Sequence, residues 1–272
     1  MTITDTAAPD LLPGFRPGDA GRLAEDFRSA EPFPHVVIDD FVTDVGLADH
    51  LPDAGWDGWH HYEDDYQSGK RICSDIERIP GPLAAVIHRL QSPSFLAYLT
   101  DVTGIEKIVP DPYLEGGGLH VSRGGGRLTP HTDFHTYTRL DLFRQINLLL
   151  YLNPAYETGD GGTLGLFEDV DADPTVSIEP VFGRCVIFRT DDRSVHGIVD
   201  PVAPGKERKS IALYYYTAAE SESYGGTATT MWRRHPDSSG VAKARLQAYR
   251  SLLFGSRALS WAAHKAHPHR MS

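Results

Sequence analysis

The chain has only two cysteines in 272 residues, Cys73 and Cys185, with no CxxC pair and no second cysteine near either. A disulfide framework and a thiolate metal site are therefore both excluded, and a reduced, cytoplasmic setting is expected. Long apolar runs are missing too. The longest in the centre, Leu148 to Leu152, is far short of a bilayer span, and the opening MTITDTAAPDLLPGF has neither a basic start nor an apolar segment. No membrane association and no export signal are expected. There is no internal repeat and no low-complexity tract, which removes solenoids and fibrous chains. Acidic residues outnumber basic ones by 37 to 26, but the excess sits at one end: residues 1–70 hold 15 acids against 4 bases, and the remainder is balanced. The last 42 residues carry 8 bases and 1 acid. A solvated helix face accounts for that cluster more simply than a nucleic-acid surface does.

What is present is a chain of ordinary globular composition, 40% hydrophobic and 23% charged, with 26 glycines and 19 prolines placed mostly between short apolar runs. Residues 1–30, acidic and punctuated by Pro and Gly, read as a flexible leader. Residues 31–112 read as a mixed support region. PFPHVVIDDFV holds a short strand, Thr43 is positioned to cap a helix running to Leu51, and Ser92-Pro93 opens a helix that Gly104 stops. From 113 to 217 the pattern becomes LHVSR, QINLLLYLN, GTLGLFE, RCVIFRT and KSIALYYYT, short β-type runs set apart by turn residues. Residues 218–272 read as a helical extension, with Ala242, Leu246, Tyr249 and Leu253 at helical spacing, Gly255 as its end and its apolar side on the core. The expected fold is mainly β with flanking helices, a barrel or sandwich at the centre.

Within that β region, His131-Thr132-Asp133 follows Pro130 and the glycines 124–126. In extended chain, residues two apart share a face, so an imidazole and a carboxylate converge. A third ligand would complete a two-histidine, one-carboxylate triad suited to Fe(II), and His196, 63 residues beyond Asp133, is the best placed. Taken alone, such a pair is usually a hydrogen-bonded surface feature. Twelve residues after His196, Arg208 opens a strand in which Ser210 shares its parity and Lys209 does not. A guanidinium at the mouth of a buried strand needs a carboxylate, and the distal group of a dicarboxylic cosubstrate would suit it. Taken alone, Arg208 would be a surface arginine beside Lys209.

Five blocks in order, HTDFH, RQINLLLYLNP, GGTLGLFED, CVIFRTDDRSVHG and ERKSIALYYYT, resemble the Fe(II)- and 2-oxoglutarate-dependent oxygenases of the prolyl 4-hydroxylase-like branch. The resemblance runs from about Gly118 to Thr217 and extends more faintly to PFPHVVIDDFV. It implies a double-stranded β-helix, the jelly roll also seen in cupins, with His131, Asp133 and His196 on iron and with Arg208 and Ser210 on 2-oxoglutarate. Tyr151 matches a tyrosine that contacts the same cosubstrate in some relatives. The tyrosine often found before the HxD aligns with His120 or with Ser122 and is assigned to neither. His135 shares the parity of the HxD and could compete as a ligand, but the family's placement of the third ligand favours His196 and leaves His135 a substrate-side or supporting residue. Arg123 is a second candidate for substrate contact, and Asn147, the polar exception on its strand, for the pocket wall. The implied activity is hydroxylation, or another oxidation of a C–H bond, with O2 consumed and succinate and CO2 formed; because no peptide-docking module or repeat surrounds the core, a small-molecule metabolite is the expected substrate. Relatives that halogenate have Gly or Ala where Asp133 keeps its carboxylate. Peptidyl hydroxylation, a cupin-like metal hydrolase or isomerase, and a catalytically silent binding domain are the rival readings.

Two motifs are set aside. Gly159, Gly161, Gly162 and Gly165 echo a dinucleotide fingerprint but precede a strand, so they read as a hairpin turn. Asp169, Asp171 and Asp173 imitate a calcium loop, yet Pro174 stands where its glycine belongs, so they read as a solvated loop.

Overall fold

Alternation of side chains in two long β runs sets the architecture. In 146–151 and 210–215, one parity is apolar (Ile146, Leu148, Leu150; Ile211, Leu213, Tyr215), and all six side chains are buried in one core cluster. The opposite parity carries Asn147, Leu149 and Tyr151, and Arg208, Ser210 and Tyr214. A sheet built from such strands needs cover on both faces: helices on the first, and a second sheet on the other.

The computed structural model describes residues 11–64, 66–219, 231–232 and helical positions between 240 and 262. Three helices, α1 (Ala20–Ser29), α2 (Gly81–Leu90) and α3 (Pro93–Thr103), accompany the strands. The strands are β1 (His35–Ile38), β2 (His60–Tyr62), β3 (Gln67–Cys73), β4 (Val109–Pro110), β5 (Gly118–Leu128), β6 (His131–Thr132) and β7 (Thr136–Tyr137), followed by β8 (Leu142–Tyr151), β9 (Leu164–Phe167), β10 (Pro174–Ile178), β11 (Cys185–Arg189), β12 (Val195–Ile198), β13 (Glu207–Thr217) and β14 (Met231–Trp232). The main sheet runs β1-β11-β8-β13-β5-β3-β2, with β4 and β7 attached at its sides; the second runs β10-β9-β12-β6-β14. All pairings are antiparallel. Two facing antiparallel sheets of this order form the expected double-stranded β-helix. Leu83, Ile87, Phe95 and Leu99 of α2 and α3 pack on the back of the main sheet. Between the sheets lies a smaller apolar cluster that includes Tyr151, Leu164, Leu166 and Phe188. Among the described residues, no helix is long and apolar enough to cross a membrane.

The helix at Ser92 forms as its caps dictate: Ser92 Oγ accepts from the Phe95 N–H (3.4 Å), and Gly104 closes it at φ 71°, a conformation that glycine adopts without strain. Other expectations need correction. Residues 11–30 are not loose, since Leu12 is fully buried and α1 presents Ala20, Leu23 and Phe27, at i, i+3 and i+7, to the core. That apolar stripe outweighs the local Pro and Gly content. Thr43 caps nothing; Asp44 accepts from the Gly46 N–H (3.0 Å), and Val45–His50 winds into tighter 3-10 turns. The glycines 159–165 make no hairpin, because they carry the chain from β8 in one sheet to β9 in the other. The acidic loop is as expected, with the Asp169 carboxylate turned back onto the Asp171 N–H (3.0 Å). At the C-terminal end, helical positions continue past Gly255 to Ala262, and none of the described ones is buried. Ala242, Leu246 and Leu253 lie outside the described residues.

Phe95 is fully buried and meets four rings, Phe15, Tyr98, Phe41 and Tyr215, at centroid distances of 5.3, 5.7, 6.2 and 6.4 Å. Phe95→Ala is expected to lower stability by about 3–5 kcal/mol in urea unfolding. Val109→Ala, at a residue 39% exposed, should stay within about 0.5 kcal/mol.

Candidate metal centre

Strands β6 and β12 pair with His131 opposite His196, which brings the two rings to a centroid distance of 4.5 Å. Asp133 follows just beyond the end of β6. Its Oδ1 lies 3.6 Å from His131 Nε2, and its Oδ2 lies 3.6 Å from His196 Nε2. One donor atom from each of the three residues falls within 4.8 Å of the others, close enough to hold a single ion. Each imidazole is oriented from behind: His131 Nδ1 donates to Thr129 O (2.9 Å) and His196 Nδ1 to Ser194 O (3.0 Å). Because a carbonyl can only accept, each Nδ1 carries a proton, and each Nε2 is the nitrogen turned toward Asp133, where a metal would bind. Burial, partly opposed by the Asp133 charge, pushes His196 down to about 4, so its ring is neutral at neutral pH.

Asp133 is the charge this site must hold in place. Burial would raise its pKa, but Arg144 above all, with His196 and His131, holds the carboxyl well below the usual range. Arg144 Nη1 lies 3.0 Å from Oδ2, and Asn147 Nδ2 donates to the same oxygen (2.5 Å). Thr190 Oγ1 in turn donates to Asn147 Oδ1 (3.2 Å), which fixes the amide's orientation. The Arg144 guanidinium is fully buried, 3.8 Å from the centre of the Phe134 ring and 3.7 Å from that of Tyr214. A flat cation between two aromatic faces is restrained in both tilt and position.

Sequence reading missed Arg144, and the reason is a bulge. Strict alternation puts Arg144 on the parity of Ile146 and Leu148, facing the helices. Instead Tyr215 pairs with Ile146 and Tyr216 with Arg144, so Gln145 is an extra residue on β8 and the face beyond it is inverted. Arg144 thus joins Asn147 on the cavity side.

The other expected residues divide. Arg208, Ser210, Asn147, His120 and Ser122 line one cavity of ≈ 210 Å³ with the three metal-site residues. Arg208 Nε donates to Gly162 O (2.7 Å), and one Nη donates to the Tyr151 hydroxyl (3.0 Å). A Cβ on Gly162 would come within 2.8 Å of Arg208 Cδ, so the glycine at this turn is needed for the arginine's approach. Ser210 Oγ is fully buried and, among the described residues, has no hydrogen-bond partner, as expected of a donor awaiting a ligand. Lys209 points away, its Nζ 3.6 Å from Glu207. His135 and Arg123 do not line the cavity. The chain leaves extended structure after Thr132, so the parity that grouped His135 with the HxD no longer applies; its ring lies 5.4 Å from that of Phe143. The Arg123 side chain is 66% exposed, 3.9 Å from Glu63.

If the guanidinium positions Asp133, Arg144→Lys should lower affinity for Co(II) or Mn(II) by about 10–100-fold in calorimetric titration, with the far-UV spectrum unchanged. Unchanged affinity would mean that something else orients the carboxylate. His196→Ala should abolish metal uptake, and His135→Ala should leave it intact.

Residues 117–216 match the 2OG-Fe(II) oxygenase superfamily. Mouse prolyl 3-hydroxylase OGFOD1 is 23% identical over 192 residues, which are 68% of this chain but 33% of that protein, so the match spans about a third of the mouse protein's length. A Trichoplax adhaerens prolyl hydroxylase, solved with a hypoxia-inducible-factor oxygen degradation domain peptide, superposes with a TM-score of 0.54 at 19% identity, covering 73% of this chain and 91% of the other. A Pseudomonas putida prolyl-4-hydroxylase gives 0.50 at 19% identity, covering 74% and 100%. A Phytophthora capsici prolyl 4-hydroxylase gives 0.51 at 21% identity, covering 79% and 68%. These structures share the fold built above, and the stretch that matches the 2OG-Fe(II) oxygenase superfamily, residues 117–216, contains His131, Asp133, His196 and Arg208.

Proposed function

We propose that this protein is a 2-oxoglutarate-dependent Fe(II) dioxygenase that hydroxylates, or otherwise oxidises, a C–H bond of a small-molecule metabolite. One observation carries the reading: the metal triad and the arginine-serine anchor open into the same cavity. In this reading His131, Asp133 and His196 hold iron, while Arg208 and Ser210, with Tyr151 behind, take the distal carboxylate of 2-oxoglutarate. Bound Fe(II), with 2-oxoglutarate and O2, supplies the C–H oxidation and yields succinate and CO2. The chain's own part is orientation and exclusion of water. Carbonyls behind the histidines keep both Nε2 atoms aimed at one point, and Arg144 and Asn147 keep Asp133 ionised and fixed. Tyr151 and Gly162 hold the Arg208 guanidinium before any ligand arrives, so little ordering cost remains at binding. Leu149, Leu164, Phe188 and Ile198 line the same cavity and keep it poor in water.

The cavity volume of ≈ 210 Å³ is below the roughly 300–1,000 Å³ of drug-sized sites, which supports a small reacting group beside the cosubstrate. A peptidyl substrate is the second reading, favoured by the prolyl hydroxylases among the similar proteins. Incubation of the enzyme with Fe(II), 2-oxoglutarate and either a metabolite extract or proline-containing peptides, followed by mass spectrometry for +16 products, separates the two.

The anchor generates its own prediction. Arg208→Lys should weaken 2-oxoglutarate binding by about tenfold or more under anaerobic Fe(II), because an ammonium cannot reproduce the two-bond fork. Lys209→Ala should leave binding unchanged. The reverse order in a cosubstrate titration would place the anchor on the wrong face of β13.

A further inference from the structure

One cation in the cavity has no task in the reading above. Lys70 on β3 and Arg208 on β13 are both Cα partners of Ser122 on β5, so the three form a row across the main sheet. Cross-strand partners share a face, and all three line the cavity. Two strand spacings, about 9.6 Å, separate the backbones of the two cations. Arg208 is drawn to the far side by Tyr151 and Gly162. Lys70 lies toward the β2 edge of the main sheet, where its Cα partner Tyr62 is 39% exposed and lines the same cavity.

The charge inventory makes Lys70 conspicuous. Among the described residues, the charged side chains lining the cavity are Lys70, Arg144 and Arg208 against Asp133 alone. Arg144 is paired with Asp133, and Arg208 is assigned to the cosubstrate. Among the described residues, Lys70 has no hydrogen-bond or ion-pair partner. Its surroundings disfavour the bare charge: burial first, then the nearby Arg208, push the ammonium down to about 8, with Asp133 and Asp64 opposing. His120, next to it on β5, offers no counter-charge, since burial together with Lys70 and Arg208 keeps that imidazole neutral. Two like charges facing one poorly hydrated cavity are relieved by an anion between or beside them.

We propose that Lys70 binds an anionic group of the primary substrate, and that the substrate is therefore a carboxylic acid. The proposal rests on the dioxygenase reading, since it is the cosubstrate's claim on Arg208 that leaves Lys70 over. A carboxylate is favoured over a phosphate because one ammonium, in a cavity shared with 2-oxoglutarate, supplies too few donors for a phosphate dianion. The position toward the β2 edge of the sheet, away from Tyr151, suits a ligand that sits beside the seated cosubstrate.

Ligand-observed NMR on the full chain, loaded with Zn(II) and saturated with 2-oxoglutarate, tests this with benzoate, phenylacetate and N-acetylglycine against their primary amides and against phenyl phosphate. The acids should bind saturably, and the amides and the phosphate should bind about tenfold more weakly or not at all. Lys70→Met should weaken the acids by about tenfold while changing 2-oxoglutarate affinity by less than about twofold, and Lys70→Arg should restore them. Three results would overturn the proposal: equal binding of acids and amides, binding of no acid, or a loss of 2-oxoglutarate affinity in Lys70→Met comparable to that in Arg208→Lys, which would put Lys70 on the cosubstrate. Tighter binding of phenyl phosphate than of the acids would overturn the carboxylate assignment. Failure of the dioxygenase reading appears separately, as wild-type protein that takes up the metal but no 2-oxoglutarate.

Discussion

A carboxylate kept ionised inside a protein is expensive unless its charge is answered on every side, and Asp133 sets that demand here. Arg144 and Asn147 answer it through Oδ2, and the two imidazoles stand 3.6 Å from its oxygens. Each of those partners is in turn held: Arg144 between Phe134 and Tyr214, Asn147 by Thr190, and the histidines by backbone carbonyls. The geometry of the triad is thus the inner layer of a hydrogen-bonded and stacked shell that reaches into both sheets.

The main sheet supports this shell by separating two environments across the thickness of one strand. One parity of β8 and β13 joins the helix-packed core, where Phe95 and its neighbouring rings supply rigidity. The other parity carries Asn147, Arg208, Ser210 and Tyr214, with Leu149 among them, into the cavity. A shift of one residue in β13 would bury Arg208 and Ser210 among leucines and turn Ile211 into the site, so the apolar core enforces the register on which the site depends. The bulge at Gln145 is the local exception, and it delivers Arg144 to Asp133.

The cavity is a cationic chamber. Among the described residues, apart from the Asp133–Arg144 pair, its remaining formal charges are Arg208 and Lys70, and Ser210 supplies a hydroxyl without a partner. Such a lining is costly when empty and favourable when anions occupy it, which ties the folded state's electrostatic strain to the chemistry of what binds.

The sequence by itself determined the features that depend on short spacing. The parity of Arg208 and Ser210 against Lys209, the shared parity of Asn147 and Tyr151, and the Ser92 and Gly104 helix boundaries all follow from period-2 alternation and capping, which act within a few residues. The ordered blocks from HTDFH to ERKSIALYYYT carried the family and, with it, His196. The tertiary structure alone decided the rest. Arg144 reaches Asp133 only because pairing with β13 forces a bulge, and Lys70 meets Arg208 only because β5 lies between their strands. His135 falls out of the cavity because the chain stops being extended after Thr132, and the segment from Leu12 to Ser29 packs because α3 and its neighbours give its apolar stripe a place to go. Alternation and capping are local properties of the backbone, whereas pairing partners, bulges and the cover over an apolar stripe are set by which distant strands and helices come together, and that information lies in no short stretch of the chain.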